Sequence, residues 1–153
     1  MCSYVERGKA LDIVKERLST DLTTSAVRDK EALKIHKNLS PGIAVLVAVV
    51  PIDEGFHITT YFGFRVPEEK IGEMIVFLNG VNNRNIRGQF YIDGDRDIMF
   101  KNFVPCRDEV DIDVLIGEIP VGLKEFLALL GEICNVIDGD GKGKDEDAYI
   151  IKE

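Results

Sequence analysis

The stretch that decides the fold runs from Arg65 to Gly94 and reads RVPEEKIGEMIVFLNGVNNRNIRGQFYIDG. It predicts the end of a strand, a helix from Pro67, a turn and a second strand. Proline suits the first helical position, because the N–H that it lacks has no helical partner there. Val76 and Phe77 widen the apolar stripe of this helix, so we expect cover on more than one side. The stripe itself recurs at helical spacing and consists of Ile71, Met74, Ile75, Leu78 and Val81.

Residues 79–85 form the turn of this stretch and contain four asparagines and one glycine. Asparagine tolerates the left-handed backbone that ends a helix, and its amide can satisfy loose backbone groups. The cluster therefore predicts that the helix breaks here and that a shaped loop follows. A ligand-binding asparagine cluster is the alternative that the sequence leaves open.

A hairpin and a helical region are predicted on the C-terminal side. Residues 93–96 read Asp-Gly-Asp-Arg, which is typical of a hairpin turn, and residues 97–104 alternate as its returning strand. Asp93, Asp95 and Asp97 suggest cation ligands, but Ile98 stands where a calcium loop needs glycine, so the hairpin explains them better. Residues 110–136 have a helical pattern that Pro120 must break or kink.

The last residues differ in composition from the rest of the chain. We expect a single domain over residues 1–137 and an acidic, glycine-rich tail over residues 138–153. The tail opens with DGDGKG, which is similar to the start of a calcium-binding loop. Lys142 places a cation where such a loop needs an oxygen ligand, and Tyr149 stands where it needs glutamate. The sequence therefore favours a solvated tail without a metal.

Two strands are predicted on the N-terminal side of the opening stretch. Residues 56–66 alternate, so Phe56 and every second residue after it predict a core face, while the side carrying His57 and Tyr61 is more polar. Residues 43–50 are continuously apolar and β-branched. We expect them near the middle of a sheet, covered on both faces and ended by Pro51.

The N-terminal region completes the fold class. Residues 4–18 predict a helix, because Leu11, Val14 and Leu18 recur at helical spacing. Residues 25–27 and 33–35 predict two short strands. Strands thus come in adjacent runs rather than one per helix. The expected class is α+β, with a mainly antiparallel sheet and helices packed on it.

Three motifs carry a family resemblance. The segment Arg65–Glu69 ends a strand and begins a helix, and Asn79 and Asn82 form an Asn-x-x-Asn step. The segment Gly88–Asp93 is similar to Gly-Lys-Phe-x-x-Asp, with glutamine in place of lysine. With the hairpin and a C-terminal helix, residues 43 to about 133 resemble the YbjN family of bacterial sensory transduction regulators.

This resemblance implies a fold like that of type III secretion chaperones, which is an antiparallel sheet with helices packed on it. It also implies chains that are often paired as dimers. It offers no catalytic residues to transfer. The residues after Asp138 depart from the family's pattern.

Charge and cysteine content narrow the classes of function. The chain has 153 residues and a net charge of −8, which argues against a nucleic-acid partner, because phosphate binding needs clustered lysine and arginine. Cys2, Cys106 and Cys134 are far apart, so free thiols in the cytoplasm are expected rather than disulfides or a zinc site. The charged first residues do not resemble a signal peptide, and the apolar run over residues 43–50 is too short to span a membrane.

Two hypotheses from different classes remain. The first is a non-enzymatic cytoplasmic interaction module, regulatory or chaperone-like, that binds an unidentified protein partner and forms a homodimer. It would use a sheet face or the outer side of a helix. The second is a small-molecule-binding protein or enzyme with a pocket near His57, Tyr61, Asn79 and Asn82. We assign no catalytic residue, cofactor or metal.

Overall fold

Eight strands and four helices form an α+β fold in the described residues, 3–21, 23–40 and 43–139, of a computed structural model. Short 3-10 turns lie directly before the first and second helices. The helices are α1 (Ala10–Leu18), α2 (Ile71–Arg84), α3 (Ile112–Glu118) and α4 (Val121–Asp138). The strands are β1 (Tyr4–Glu6), β2 (Thr24–Arg28), β3 (Leu33–Ser40), β4 (Ile43–Ile52), β5 (Gly55–Arg65), β6 (Gln89–Ile92), β7 (Asp97–Pro105) and β8 (Glu109–Asp111).

Six of these strands form the main sheet, in the order β2-β3-β4-β5-β7-β6. Every neighbouring pair is antiparallel, which confirms the predicted fold class. The apolar run of β4 lies in the interior of the sheet, as predicted. The expected cover on both of its faces is wrong, because on the side away from the helices Ala44 is exposed and Leu46 is only partly buried in the described chain. The strands β1 and β8 pair separately as a two-stranded sheet.

The sheet has one face toward the core and one face away from it, and β5 shows the difference most clearly. Phe56 and Ile58 are fully buried and point toward the helices; we call this side the inner face. His57 and Tyr61 are only partly buried and belong to the opposite side, the outer face. The predicted alternation of β5 is therefore confirmed. The inner face continues across the sheet through Val47, Val49, Phe90 and Phe100.

Helices pack on the inner face. The ring of Phe126 in α4 stacks on Phe62 with centroids 4.0 Å apart. Asn102 of β7 donates from Nδ2 to the carbonyl of Glu118 at the end of α3, at 2.9 Å. The close approach of α4 requires Gly122, because a Cβ there would lie 2.5 Å from Oγ1 of Thr60. Within the described ranges, the helices that contact the sheet pack on this side, and the outer face has no helix over it.

The predicted helix over residues 4–18 is wrong at its beginning, where the chain forms β1. Val5 pairs with Val110 of β8, and the N–H of Ile112 donates to the carbonyl of Ser3 at 3.1 Å. These partners lie more than a hundred residues away, so helical spacing nearby gave no sign of them. From Ala10 to Leu18 the helix forms as predicted.

The two prolines behave differently from each other. Pro51 does not end β4, which continues to Ile52. The neighbouring β3 pairs only as far as Val49, so β4 has an open edge at Pro51 and a missing donor is tolerated there. Pro120 separates α3 from α4 and stands at the N-cap of α4, so the predicted break is confirmed.

The predicted helix end over residues 79–85 is also wrong, because α2 continues through the asparagines to Arg84. Buried Leu78 and Val81 hold this last part of the helix against the core. Asparagine is only a moderately poor helix former, so packing overrides its preference. The expected cover of Val76 is absent, since this side chain is exposed in the described chain.

The C-terminal end of the described chain is α4, which ends at Asp138. The predicted acidic tail, with its calcium-loop resemblance, lies almost entirely outside the described residues. Among the helices of the described part, none has the length and apolar character needed to cross a bilayer.

Candidate functional site

The outer face of the sheet presents an apolar and aromatic surface to solvent. Val27 of β2 is 56% exposed, and Phe103 of β7 is also exposed. Between them the strand register aligns two rows of side chains across the sheet. One row is Lys34, Ala48, Thr59, Lys101 and Gln89, and the other is His36, Leu46, Tyr61, Met99 and Tyr91.

Basic side chains dominate the charge of these two rows. They contain Lys34, His36 and Lys101 and no carboxylate, although the chain as a whole carries a net charge of −8. The Nζ of Lys101 lies 5.5 Å from the ring centroid of Tyr91, which is a cation–π contact. Lys34 reaches Asp29 at the end of the sheet, with 3.8 Å between Nζ and Oδ2. The two lysines thus give these rows positive charge on an acidic protein, while Asp97, which alternates with Met99 along β7, pairs with Arg65 at one end of the face at 3.5 Å.

Two tyrosines flank Met99 in the middle of the outer face. Tyr61 and Tyr91 each pair with Met99 in the strand register, and Met99 is buried beneath its neighbours. Burial raises the pKa of Tyr91 above its usual 10.0, and Tyr61 and Asp93 raise it further. A hydrogen bond with Thr59 acts in the opposite direction and lowers this pKa. The phenol of Tyr91 therefore stays protonated at neutral pH.

A shallow cavity of about 600 Å³ opens where β6 begins beside β7. The ring of His57 forms part of its wall and packs against Phe103, with centroids 5.4 Å apart. The buried Nδ1 of His57 has no hydrogen-bond partner in the described chain. The loop from Asn85 to Gly88 forms another part of the wall, so Arg87 and Lys101 both line the cavity.

The predicted pocket residues do not all meet at this cavity. His57 lines it, whereas Tyr61 lies elsewhere on the outer face and Asn79 is exposed on α2. Asn82 points to the backbone of β6: its Nδ2 donates to the carbonyl of Phe90, and its Oδ1 accepts from the N–H of Phe90, both at 2.8 Å. Asn82 thus holds α2 against the edge strand.

Asn85 and Arg87 also line the cavity; Asn85 belongs to the asparagine cluster predicted as a possible ligand site, whereas Arg87 was not predicted. Oδ1 of Asn85 accepts from the N–H of Arg87 at 2.8 Å, which shapes the loop. Arg87 also reaches Glu118 of α3, with 2.8 Å between Nη2 and Oε2. The asparagine-rich composition signalled this loop, but only the fold shows which asparagine faces the cavity.

The side chains of the cavity wall offer charge and aromatic surface. In the described part of the chain, no hydrogen bond joins two titratable side chains of this wall. Basic groups and aromatic rings line it together: His57, Arg87, Lys101, Tyr91 and Phe103.

The acidic hairpin turn brings three carboxylates together. Ligand atoms of Asp93, Asp95 and Asp97 lie within 4.8 Å of one another. Oδ1 of Asp93 already accepts from the N–H groups of Asp95 at 2.9 Å and Asp97 at 3.0 Å. These bonds shape the turn, and the hairpin accounts for the three residues.

Comparison with known proteins identifies the family. No curated protein matches the chain, and no solved structure matches it. One family model does match, over residues 16–119, and therefore begins before the predicted resemblance and ends before α4. That family is YbjN, described as "Putative bacterial sensory transduction regulator", and the chain belongs to it.

Proposed function

We propose that this protein is a non-enzymatic, cytoplasmic regulatory module that binds a partner protein on the outer face of its sheet. The observation that carries the proposal is the one-sided packing of the sheet. Helices occupy the inner face, while Val27, Leu46, Tyr61 and Phe103 remain on a face without a helix. The description of the family as a regulator supports binding rather than catalysis. Cys106 and Cys134 form no disulfide in the described chain, and free thiols suit a reducing compartment.

The size of the outer face supports a protein ligand. Six strands give a width of about 29 Å, and eight residues of strand give a length of about 27 Å. The resulting area is on the order of 800 Å², which is what one partner contributes to a typical specific interface. A small molecule would leave most of such a surface uncovered.

The chemistry of the face defines the partner. An apolar centre with Tyr61, Tyr91 and Phe103 suits a partner with apolar side chains, because aromatic residues are enriched in interfaces. Lys34 and Lys101 suit a partner that has carboxylates around its apolar side chains. We therefore expect an acidic partner surface, and association that weakens as salt rises.

The experiment compares proteins captured from the source cells by the wild-type chain and by variants. Val27→Glu and Lys34→Glu change the outer face away from the cavity, and Val114→Glu is the matched control on α3, where Val114 is 50% exposed. We expect at least one protein to be retained by wild type and Val114→Glu and lost by both outer-face variants. Its purified form should bind wild type more weakly at higher salt.

The proposal would be overturned if all variants retained the same proteins. It would also be overturned if the affinity of the purified partner did not change with salt concentration. Thermal unfolding of each variant shows that the fold is intact, since the substituted side chains are exposed.

The cavity beside His57 supports a second candidate, the binding of a small aromatic anion. Lys101 provides positive charge, and Tyr91 and Phe103 provide aromatic surface, whereas Glu118 offsets the charge of Arg87. Benzoate and related aromatic carboxylates are suitable probes in a thermal-shift titration. If this candidate is correct, the probe raises the melting temperature of wild type and of Lys34→Ala. It does not raise the melting temperature of Lys101→Ala. An unchanged melting temperature with these probes would exclude it for this class of ligand.

A further inference from the structure

A second cavity, of about 590 Å³, lies at the end of the sheet where β4 ends and β5 begins. The apolar part of its wall comes from Leu11 of α1, Pro51 of β4 and Phe56 of β5. Leu11 and Phe56 belong to the core of the protein and are almost fully buried. This cavity shares no lining residue with the cavity beside His57, so the two are separate sites.

Three arginines line this second cavity, and we call it the arginine cavity. Arg7 follows β1, Arg28 ends β2, and Arg107 lies between β7 and β8. The sequence gave no sign of this cluster, because its members are far apart in the chain and only the fold brings them to one cavity.

Two of the arginines are held in place by other parts of the chain. Nη1 of Arg7 donates to the carbonyl of Asp53 at 2.8 Å. Nε of Arg28 lies 3.3 Å from Oδ1 of Asp12, which is an ion pair without hydrogen-bond geometry. The buried Nε of Arg28 therefore has no hydrogen-bond partner in the described chain. Groups that are already ordered lose little freedom when a ligand binds.

The third arginine, Arg107, has its binding capacity unused. Its side chain is exposed and forms no hydrogen bond or ion pair with another residue that the structure describes. The next residue, Asp108, also lines the cavity, and its carboxylate has no partner among the described residues either. The cavity thus has a guanidinium and a carboxylate that are both available to a ligand.

The balance of charge around the arginine cavity narrows the class of ligand. Glu6 and Asp108 line the cavity together with the arginines, and Glu6 lies 3.7 Å from Lys9. Asp12 pairs with one arginine, and Asp53 is exposed beside another. These carboxylates would repel a ligand that has only negative charge, such as inorganic phosphate. A ligand with one carboxylate and one ammonium matches both signs.

We propose that the arginine cavity binds a free α-amino acid with an apolar side chain, such as leucine. The carboxylate of the ligand pairs with Arg107, because the planar guanidinium matches both carboxylate oxygens. The ammonium of the ligand pairs with Asp108, and its side chain packs on Leu11 and Pro51. A volume of about 590 Å³ is in the range of small-molecule sites. This site goes beyond the proposed binding of a partner protein and does not depend on it.

Titration of the isotope-labelled full chain with leucine, followed by amide chemical shifts, tests the proposal. Isocaproate is leucine without the ammonium, and isoamylamine is leucine without the carboxylate. We expect leucine to shift the amides of Arg7, Arg28 and Arg107, with a dissociation constant on the order of 1 mM for a ligand of this size. Each analogue should bind wild type at least about tenfold more weakly than leucine.

Two variants separate the roles of the charged groups. Arg107→Ala should raise the dissociation constant of leucine by at least about tenfold. Asp108→Asn should weaken leucine by a similar factor without weakening isocaproate, which has no ammonium to lose a partner. Arg84→Ala is the matched control, because Arg84 is exposed on α2 and does not line the cavity. Thermal unfolding shows that each variant folds, since the substituted side chains are exposed.

The inference would be overturned if leucine shifted no amide near the cavity at concentrations well above the expected constant. Equal affinities of Arg107→Ala and Arg84→Ala for leucine would also overturn it. Isocaproate or inorganic phosphate that bound as tightly as leucine would exclude the amino-acid class and assign the cavity to simple anions. The partner protein is captured through other residues, so failure of either proposal is distinguishable from failure of the other.

Discussion

Replacing Asn82 with alanine tests the most specific tertiary contact of the opening stretch. The amide of Asn82 bonds both the N–H and the carbonyl of Phe90 at 2.8 Å, on the side of β6 that faces away from β7. It therefore takes the place that a neighbouring strand would have. In Asn82→Ala both backbone groups of Phe90 lose their partner, and the partly buried site offers little water to replace it.

The magnitude follows from two opposing effects. Two neutral hydrogen bonds contribute about 1–3 kcal/mol to the free energy of unfolding. Alanine favours the helix over asparagine by roughly 0.5 kcal/mol, which offsets part of the loss. We expect Asn82→Ala to lower the free energy of unfolding by about 1–2 kcal/mol, or the melting temperature by about 3–6 °C.

The matched control is Asn83→Ala, which changes the adjacent, exposed asparagine of the same helix. Since Asn83 has no tertiary hydrogen bond in the described chain, its replacement should leave stability unchanged or slightly higher. Urea denaturation measures the free energy of unfolding of both variants. Amide hydrogen exchange at Phe90 should accelerate only in Asn82→Ala. Equal stability of the two variants would refute the reasoning.

Two further predictions concern pH and packing. Hydrogen bonds from the side chain and N–H of Thr23, with others from Thr24 and Lys37, hold the pKa of Asp21 well below its usual 3.8. Since the folded pKa is depressed, this stabilisation is present above about pH 4 and is lost as the pH falls. Asp21→Asn should therefore be less stable than wild type at pH 7. The difference in the free energy of unfolding, measured by urea denaturation, should become smaller below about pH 4. A difference that does not change with pH would contradict this prediction. Gly122→Ala should lower the free energy of unfolding by about 1–3 kcal/mol, because its Cβ would lie 2.5 Å from Oγ1 of Thr60, whereas Gly117→Ala, with open space, should not. Equal melting temperatures for the two glycine variants would contradict the close packing of α4.

Patterns that repeat within a few residues predicted most of the fold. The alternation of β5 was readable because one face is buried and the other is not, and Pro120 marked the break between α3 and α4 through its missing donor. The start of the chain was misread because β1 exists only through its pairing with β8. The end of α2 was misread because Leu78 and Val81 pack on the core, which local asparagine preference does not reveal.

The candidate sites were less predictable than the fold. His57 and Tyr61 share a face, but four residues of strand separate them by about 14 Å, so one small pocket does not include both. The cavity beside His57 depends on where the loop from Asn85 to Gly88 lies, and tertiary packing sets that position. The more polar side of β5 at His57 and Tyr61 was predicted, but the continuous apolar run of β4 indicated cover on both faces, so the openness of the outer face was not predicted.

The one-sided layering of the molecule has a consequence for valency. The helices occupy the inner face of the sheet, so each chain has one open sheet face to offer. With the partner bound there as proposed, the stoichiometry is one partner molecule per chain, and a chain with one site gains no avidity from a second. The amount of this protein would then set an upper limit on how many partner molecules are bound.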